Sequence, residues 1–329
     1  MMAEMTKKQR VRAALAGEPV DRPPASMWGH DFTREWSASD LVEATLEQYR
    51  TYDWDFIKLN PRASYFAEAW GSEYGAPVSD QAAPLTSPAI TSVADLAALR
   101  PVNAFSGVFE EHLNALNMLI AEVGDEVDIV HTVFSPLSVV GRLAGAESRL
   151  IELAAEDPTA THSAIAAVTQ TLTEYSQAAL EIGAAGIFFA PLRWASNDVC
   201  TPDFYREFGR PYDLQLLSHI RDAEFNILHV CRDHNMIDLL LDYPVPVINW
   251  ADHGEGNPSL AEVKARATKA VMGGVDHARL DSMTAAQAGD QVAAALATGP
   301  ERLFITAGCS IPPETPAESR EAVATGARG

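Results

Sequence analysis

Residues 225–234 read FNILHVCRDH, an apolar run that ends in His229 and Cys231 with Val230 between them. In a β-strand successive side chains alternate faces, so residues two apart point the same way. A strand through this stretch presents an imidazole nitrogen and a thiol sulfur to one spot at its carboxyl end. Its flanks decide what sheet carries it. Upstream lies TPDFYREFGRPYDLQLLSHIRDA (201–223), a helical pattern, and downstream the chain soon reaches another apolar run, VPVINWAD. Short β-rich run, loop, longer helical stretch is the rhythm of a parallel sheet.

The same rhythm recurs along the whole chain. The candidate strands are PASMWGH ending at His30, DFIKLN ending at Asn60, VDIVHTVFS ending near Ser135 and GIFFAPL ending near Leu192. FNILHVC ending at Cys231, VPVINWAD at Asp252, KAVMGGVD at Asp276 and RLFITAGC at Cys309 bring the number to eight. Between them lie helical stretches such as 148–184, 201–223 and 283–298. Eight parallel strands with intervening helices predict an α/β fold of the (β/α)8 TIM barrel type, where an open doubly wound sheet has fewer strands. A chain of 329 residues fits one such domain, so residues 1–329 are expected to form a single barrel. Residues 71–101, Gly71 to Pro101, are the least regular part and read as an insertion after the second strand, supplying extra wall or a lid.

Composition excludes several partners. The formal net charge of −21 opposes binding to nucleic acid or an acidic membrane surface, since such affinity comes from lysine and arginine meeting phosphates. No apolar run approaches the roughly 18 residues that a membrane helix needs. The opening MMAEMTKKQRVRAALAGEP is charged where a signal peptide needs an apolar stretch, and reads as a helix capped near Thr6 and stopped at Gly17, so a cytoplasmic protein is expected. Three widely spaced cysteines do not make a disulfide framework.

Barrel enzymes place their chemistry at the carboxyl ends of the strands. This chain puts His30, Asn60, His229, Cys231, Asp252, Asp276 and Cys309 there. Such residues also begin loops or cap helices, and for Asn60, Asp252 and Asp276 taken singly that reading stands beside the functional one. Cys309 ends the last strand and would face the same mouth as His229 and Cys231. Two thiolates and an imidazole suit zinc, and three protein ligands leave the open fourth position of a catalytic site. Alone, HxC is more often a strand histidine beside a buried free cysteine; the remote Cys309 favours the metal. His30, Asn60, Trp194, Asp252 and Asp276 are the candidate substrate contacts. Cys200, just before a helix at Thr201 or Pro202, reads as a packed side chain.

The motifs ILHVC, MGGVD and ITAGCSIPPETPAES, with KKQRVRAALAGEPVDRPP, FSPLSVVGRLAG and FYREFGRPY, resemble the uroporphyrinogen decarboxylase superfamily over essentially the whole chain. Within it they are most similar to the zinc-dependent corrinoid methyltransferase branch. That resemblance implies a (β/α)8 barrel with zinc held by His229, Cys231 and Cys309. It further implies a methylated corrinoid (cobalamin-type) donor, free or on a corrinoid protein, a small thiol acceptor, and a homodimer. The chemistry is coherent, because a thiol on zinc loses its proton and only the thiolate is a good nucleophile.

The decarboxylase pattern itself departs at the decisive places. An arginine-rich RQAGR motif meets substrate carboxylates in that enzyme, whereas this chain has MWGHD at 27–31. Its catalytic aspartate follows the second strand, where this chain reads IKLNPRASY with no carboxylate before Glu68, and Asp55 precedes the strand. A carboxy-lyase acting on a tetrapyrrole is therefore the alternative reading, and a non-catalytic zinc-binding relative the third.

Overall fold

Seven parallel strands form one curled sheet in the structure, a computed structural model that describes residues 3–78 and 81–329. In chain order the strands are β1 (Phe56–Leu59), the short antiparallel pair β2 (Glu73–Tyr74) and β3 (Leu85–Ser87), β4 (Asp128–Phe134) and β5 (Gly186–Ala190). Then come β6 (Ile227–Val230), β7 (Val247–Trp250), β8 (Ala270–Val275) and β9 (Leu303–Ala307). The large sheet runs β1-β4-β5-β6-β7-β8-β9, in chain order with the β2-β3 pair set apart. These strands are buried on both faces, which is why they read as nearly continuous apolar runs.

The first expected strand, PASMWGH, is not a strand of that sheet, yet it fills the gap between β9 and β1. Ser26 N donates to Ile305 O at 3.1 Å, Ile305 N to Pro24 O at 2.9 Å and Asp55 N to Ala25 O at 2.8 Å. Isolated parallel bridges join Ala25 to Ile305 and Gly29 to Ile311. Pro23 and Pro24 have no N–H to give, so this stave closes the ring with a sparse ladder. The architecture is thus the (β/α)8 barrel expected, with seven regular staves and one irregular stave.

Prolines also divide two helices that the sequence pattern joins. The stretch 148–184 is two helices, Glu147–Glu156 and Pro158–Ile182, with Asp157 capping the second through Ala160 N. Pro158 cannot continue the preceding helix but suits the first position of a new one. Likewise 201–223 divides into Pro202–Phe208 and Arg210–His219, with Pro211 in the first turn of the latter. The first helix, Lys7–Ala16, is capped by Thr6 and ended by Gly17 in the left-handed region (φ 74°), as its sequence predicts.

Strand alternation stacks the barrel interior in layers. Phe56, Lys58 and Asn60 succeed one another on one face of the β1 segment, and Phe225, Ile227, His229 and Cys231 do so along β6. At the lower end the rings of Phe56, Phe225 and Phe304 meet edge-on or stacked at 5.2 to 6.0 Å and seal the barrel. The opposite end stays open, and there the polar residues collect. Residues 71–101 carry β2, β3 and the helix Val93–Ala98, while Ser79 and Asp80 within that segment lie outside the described residues.

Candidate metal centre

Three chemistry-bearing side chains converge at the open end. One donor atom each from His229, Cys231 and Cys309 lies within 4.8 Å of the other two, an arrangement that could hold a metal ion. Cys309 Sγ is 3.4 Å from His229 Nε2. His229 and Cys231 reach the spot by strand alternation. Cys309 reaches it by a bend, because β9 ends at Ala307 and Gly308 and Cys309 turn inward. A Cβ at Gly308 would stand 2.8 Å from Trp250 O and 2.9 Å from Ala251 Cα, so glycine permits the close approach.

The imidazole is held in one tautomer. His229 Nδ1 lies 2.5 Å from Asn249 Oδ1, on the register partner in β7. The Asn249 amide is oriented in turn, since its Nδ2 donates to Met272 O (3.0 Å) and Ala307 O (3.2 Å). Its oxygen must therefore face His229 and accept the Nδ1–H, which leaves the Nε2 lone pair directed at the sulfurs. An oxygen acceptor behind an imidazole is the usual support of a metal-ligating histidine. The two thiols are coupled: the hydrogen bond from Cys231 holds Cys309 well below the usual thiol range and pushes Cys231 well above it.

The centre opens on a cavity of about 630 Å3, which His30, Asn60 and Trp194 line together with the three donors. His30 Nδ1 is fixed 2.7 Å from Glu35 Oε1, and Asn60 Nδ2 donates to Gly29 O at 2.9 Å. Asp252 and Asp276 are not brought to this wall. Asp252 is buried behind it, accepting from Gly274 N at 2.9 Å, and burial raises its carboxyl to about 6. Asp276 Oδ1 accepts from Ala278 N at 3.0 Å and shapes the turn after β8. Cys200 is away from the cluster, its thiol donating to Trp194 O at 3.3 Å, and burial pushes it up to about 12. Residues 71–101 add Tyr74, Ala83 and Leu85 to the wall.

Sequence reading missed four cationic side chains here. Lys58, on β1, is buried in the barrel and lines the cavity. Arg142, Arg193 and Arg232 bring three guanidiniums to its wall in an otherwise acidic chain. A lysine inside a parallel strand is a visible anomaly in DFIKLN; nothing local marks the arginines. Asp55 is a structural staple below the site, accepting from Arg10 (2.7 Å), Arg22 (2.5 Å) and Ala25 N (2.8 Å).

A family model described as Uroporphyrinogen decarboxylase (URO-D) matches residues 6–328. The chain is 22% identical over 253 residues, 72% of each chain, to the "Methylcobamide:CoM methyltransferase MtaA" of Methanosarcina barkeri. A solved methyltransferase from Methanosarcina mazei superposes with a TM-score of 0.86 at 22% identity, covering 98% of both chains. The B12-independent methionine synthase from Shewanella sp. W3-18-1, solved with selenomethionine, gives 0.64 at 12% identity, covering 94% of this chain and 96% of its own. At those identities the solved structures speak for the fold alone. Among the described residues no helix is long and apolar enough to cross a membrane.

Proposed function

Because this chain belongs to the uroporphyrinogen decarboxylase (URO-D) family, we propose that it is a methyltransferase of that family, moving a methyl group from a methylated corrinoid to a small thiol at a zinc centre formed by His229, Cys231 and Cys309. The observation that carries this is the donor set itself: one nitrogen and two sulfurs within 4.8 Å, at the wall of a cavity, with the histidine tautomer already fixed for ligation. Nitrogen and sulfur suit zinc, and two thiolates neutralise a divalent cation. Zinc held there would keep its fourth position for the acceptor thiol and favour loss of the thiol proton.

The protein's own residues do the rest. Asn249 orients the imidazole, Gly308 lets Cys309 swing inward, and the aromatic faces of Trp28, Phe188 and Trp194 wall the cavity against water. His30, Asn60 and Trp194 contact the substrate. The corrinoid arrives at the cavity mouth free or on a partner protein, and the relative whose name includes methylcobamide supports that choice. The 71–101 segment serves as cavity wall within one barrel domain, and the chain works in the cytoplasm, as a homodimer.

A tetrapyrrole carboxy-lyase is the second reading, favoured by the three arginines at the cavity. Against it, the carboxylates that come directly before and after β1 in sequence are engaged: Asp55 by two arginines and a backbone amide, Glu68 by Arg62. Elemental analysis of reduced wild type and of Cys309→Ser separates the two. The methyltransferase reading expects about one zinc per chain in wild type and a sharp loss in the variant. Zinc-free protein that takes up none on addition overturns it.

A further inference from the structure

We propose that Lys58 is the proton acceptor for the thiol that enters the metal-centre cavity, an inference that rests on the thiol methyltransferase reading. Lys58 sits in the middle of β1, buried within the barrel, between the Phe56 ring that seals the lower end and Asn60 at the mouth. An ammonium buried without a counter-ion is costly, so a lysine retained there needs a chemical reason. Among the described residues no carboxylate pairs with it. Its Nζ donates to Asn60 Oδ1 and lies over the Phe188 ring at 4.7 Å and the Trp28 ring at 5.6 Å.

That same Phe188 ring is 5.0 Å from the His229 imidazole, so one aromatic side chain bridges the amine and the donor set. Burial pushes the Lys58 amine down to about 7, while Cys309 and Glu35 pull it back up. A large fraction is therefore neutral near neutral pH, with a lone pair available. Two nearby titratable groups are poorer acceptors. His131 on β4, whose Nε2 is 2.7 Å from the Tyr175 hydroxyl, is pushed down to about 3 by burial, with help from Lys58. Glu35 is engaged with His30.

Lys58 also has an outlet. With Trp28, His30 and Asn60 it lines both the metal-centre cavity and a second cavity of about 350 Å3 between the irregular stave and the helix Ala38–Tyr52. In the proposed step the S–H bond of the incoming thiol breaks, sulfur keeps the electron pair, and the proton forms a third N–H bond on Lys58 Nζ. No electrons leave the pair of groups. The new ammonium then faces a thiolate, which supplies the counter-charge that Lys58 lacks at rest. Once the sulfur is methylated and neutral, the ammonium loses its partner and releases the proton through the second cavity.

The test is a proton count on the zinc-loaded full chain. 2-Mercaptoethanol is titrated in at about pH 8 by calorimetry, in buffers of different ionisation enthalpy, with wild type, Lys58→Met and Lys58→Arg. Wild type should release close to no proton per thiol bound, and both variants about one, since neither can accept it. Two variants guard against one failing to fold. Equal proton release in all three proteins overturns the role of Lys58 and leaves the zinc reading standing. Protein that holds no zinc, or zinc protein that binds no thiol, overturns both.

Discussion

His229 and Asn249 are register partners on β6 and β7, and their side chains meet at 2.5 Å inside the barrel. Since Asn249 Nδ2 is committed to two carbonyls, this contact sets which imidazole nitrogen faces the cysteines. Asn249→Leu should keep the fold but free the ring. Zinc affinity, measured by competition with a chromogenic chelator, is expected to fall about 10- to 100-fold. Unchanged affinity would show that the tautomer is set elsewhere.

The contrast between those two residues shows what sequence reasoning can reach. His229 and Cys231 are legible because alternation within one strand is local information. Asn249 supports the site from the neighbouring β7 and Lys58 reaches the cavity from the more distant β1, and which residue faces which depends on register and barrel closure, visible only in three dimensions. Cys309 is intermediate: its motif is recognisable, yet strict alternation along β9 does not give its direction, because the Gly308 bend breaks the pattern. The barrel itself was readable from its repeated rhythm. The exceptions all fall at prolines: the sparse stave after Pro23 and Pro24, and the helix breaks at Pro158 and near Pro211.

Asp55 ties the irregular stave to the barrel, accepting from Ala25 N and from the buried Arg10. Asp55→Ala removes the acceptor for that amide and strands part of the Arg10 charge, although Asp21 still binds Arg10. A loss on the order of 3 kcal/mol is expected, read as a lower urea midpoint. Zinc per folded chain should stay close to the wild-type value, because the staple lies at the other end of the stave.

Asp213 is buried, accepts from the Tyr205 hydroxyl at 2.5 Å and the Tyr243 hydroxyl at 2.8 Å, and is raised to about 7 by burial despite those bonds. A carboxyl raised above its unfolded value of 3.8 binds its proton more tightly in the folded state. Its stabilising effect is full below about pH 4 and is lost as pH rises towards 7, a swing of up to about 4 kcal/mol. Asp213→Asn cannot titrate. The difference in melting temperature between wild type and variant should therefore move in favour of the variant between about pH 4 and 7, and a pH-independent difference would contradict the assignment.

Gly308 offers the sharpest separation of fold from site. An added Cβ would meet the Trp250 carbonyl oxygen at 2.8 Å and Ala251 Cα at 2.9 Å, backbone atoms that cannot rotate aside, and the Asp252 carboxylate at 3.2 Å. Since β7 is packed between β6 and β8, the cheaper response is for the Gly308–Cys309 bend to move outward. Cys309 would then leave the donor set while His229, Cys231 and Asn249 stay in place. Gly308→Ala is accordingly expected to lose zinc nearly as fully as Cys309→Ser while every metal-ligand candidate remains in the sequence. The accompanying loss of stability should be about 1–3 kcal/mol, the usual cost of overpacking. A variant that keeps wild-type zinc would mean that the bend does not position Cys309, and the donor set would need another explanation for its convergence.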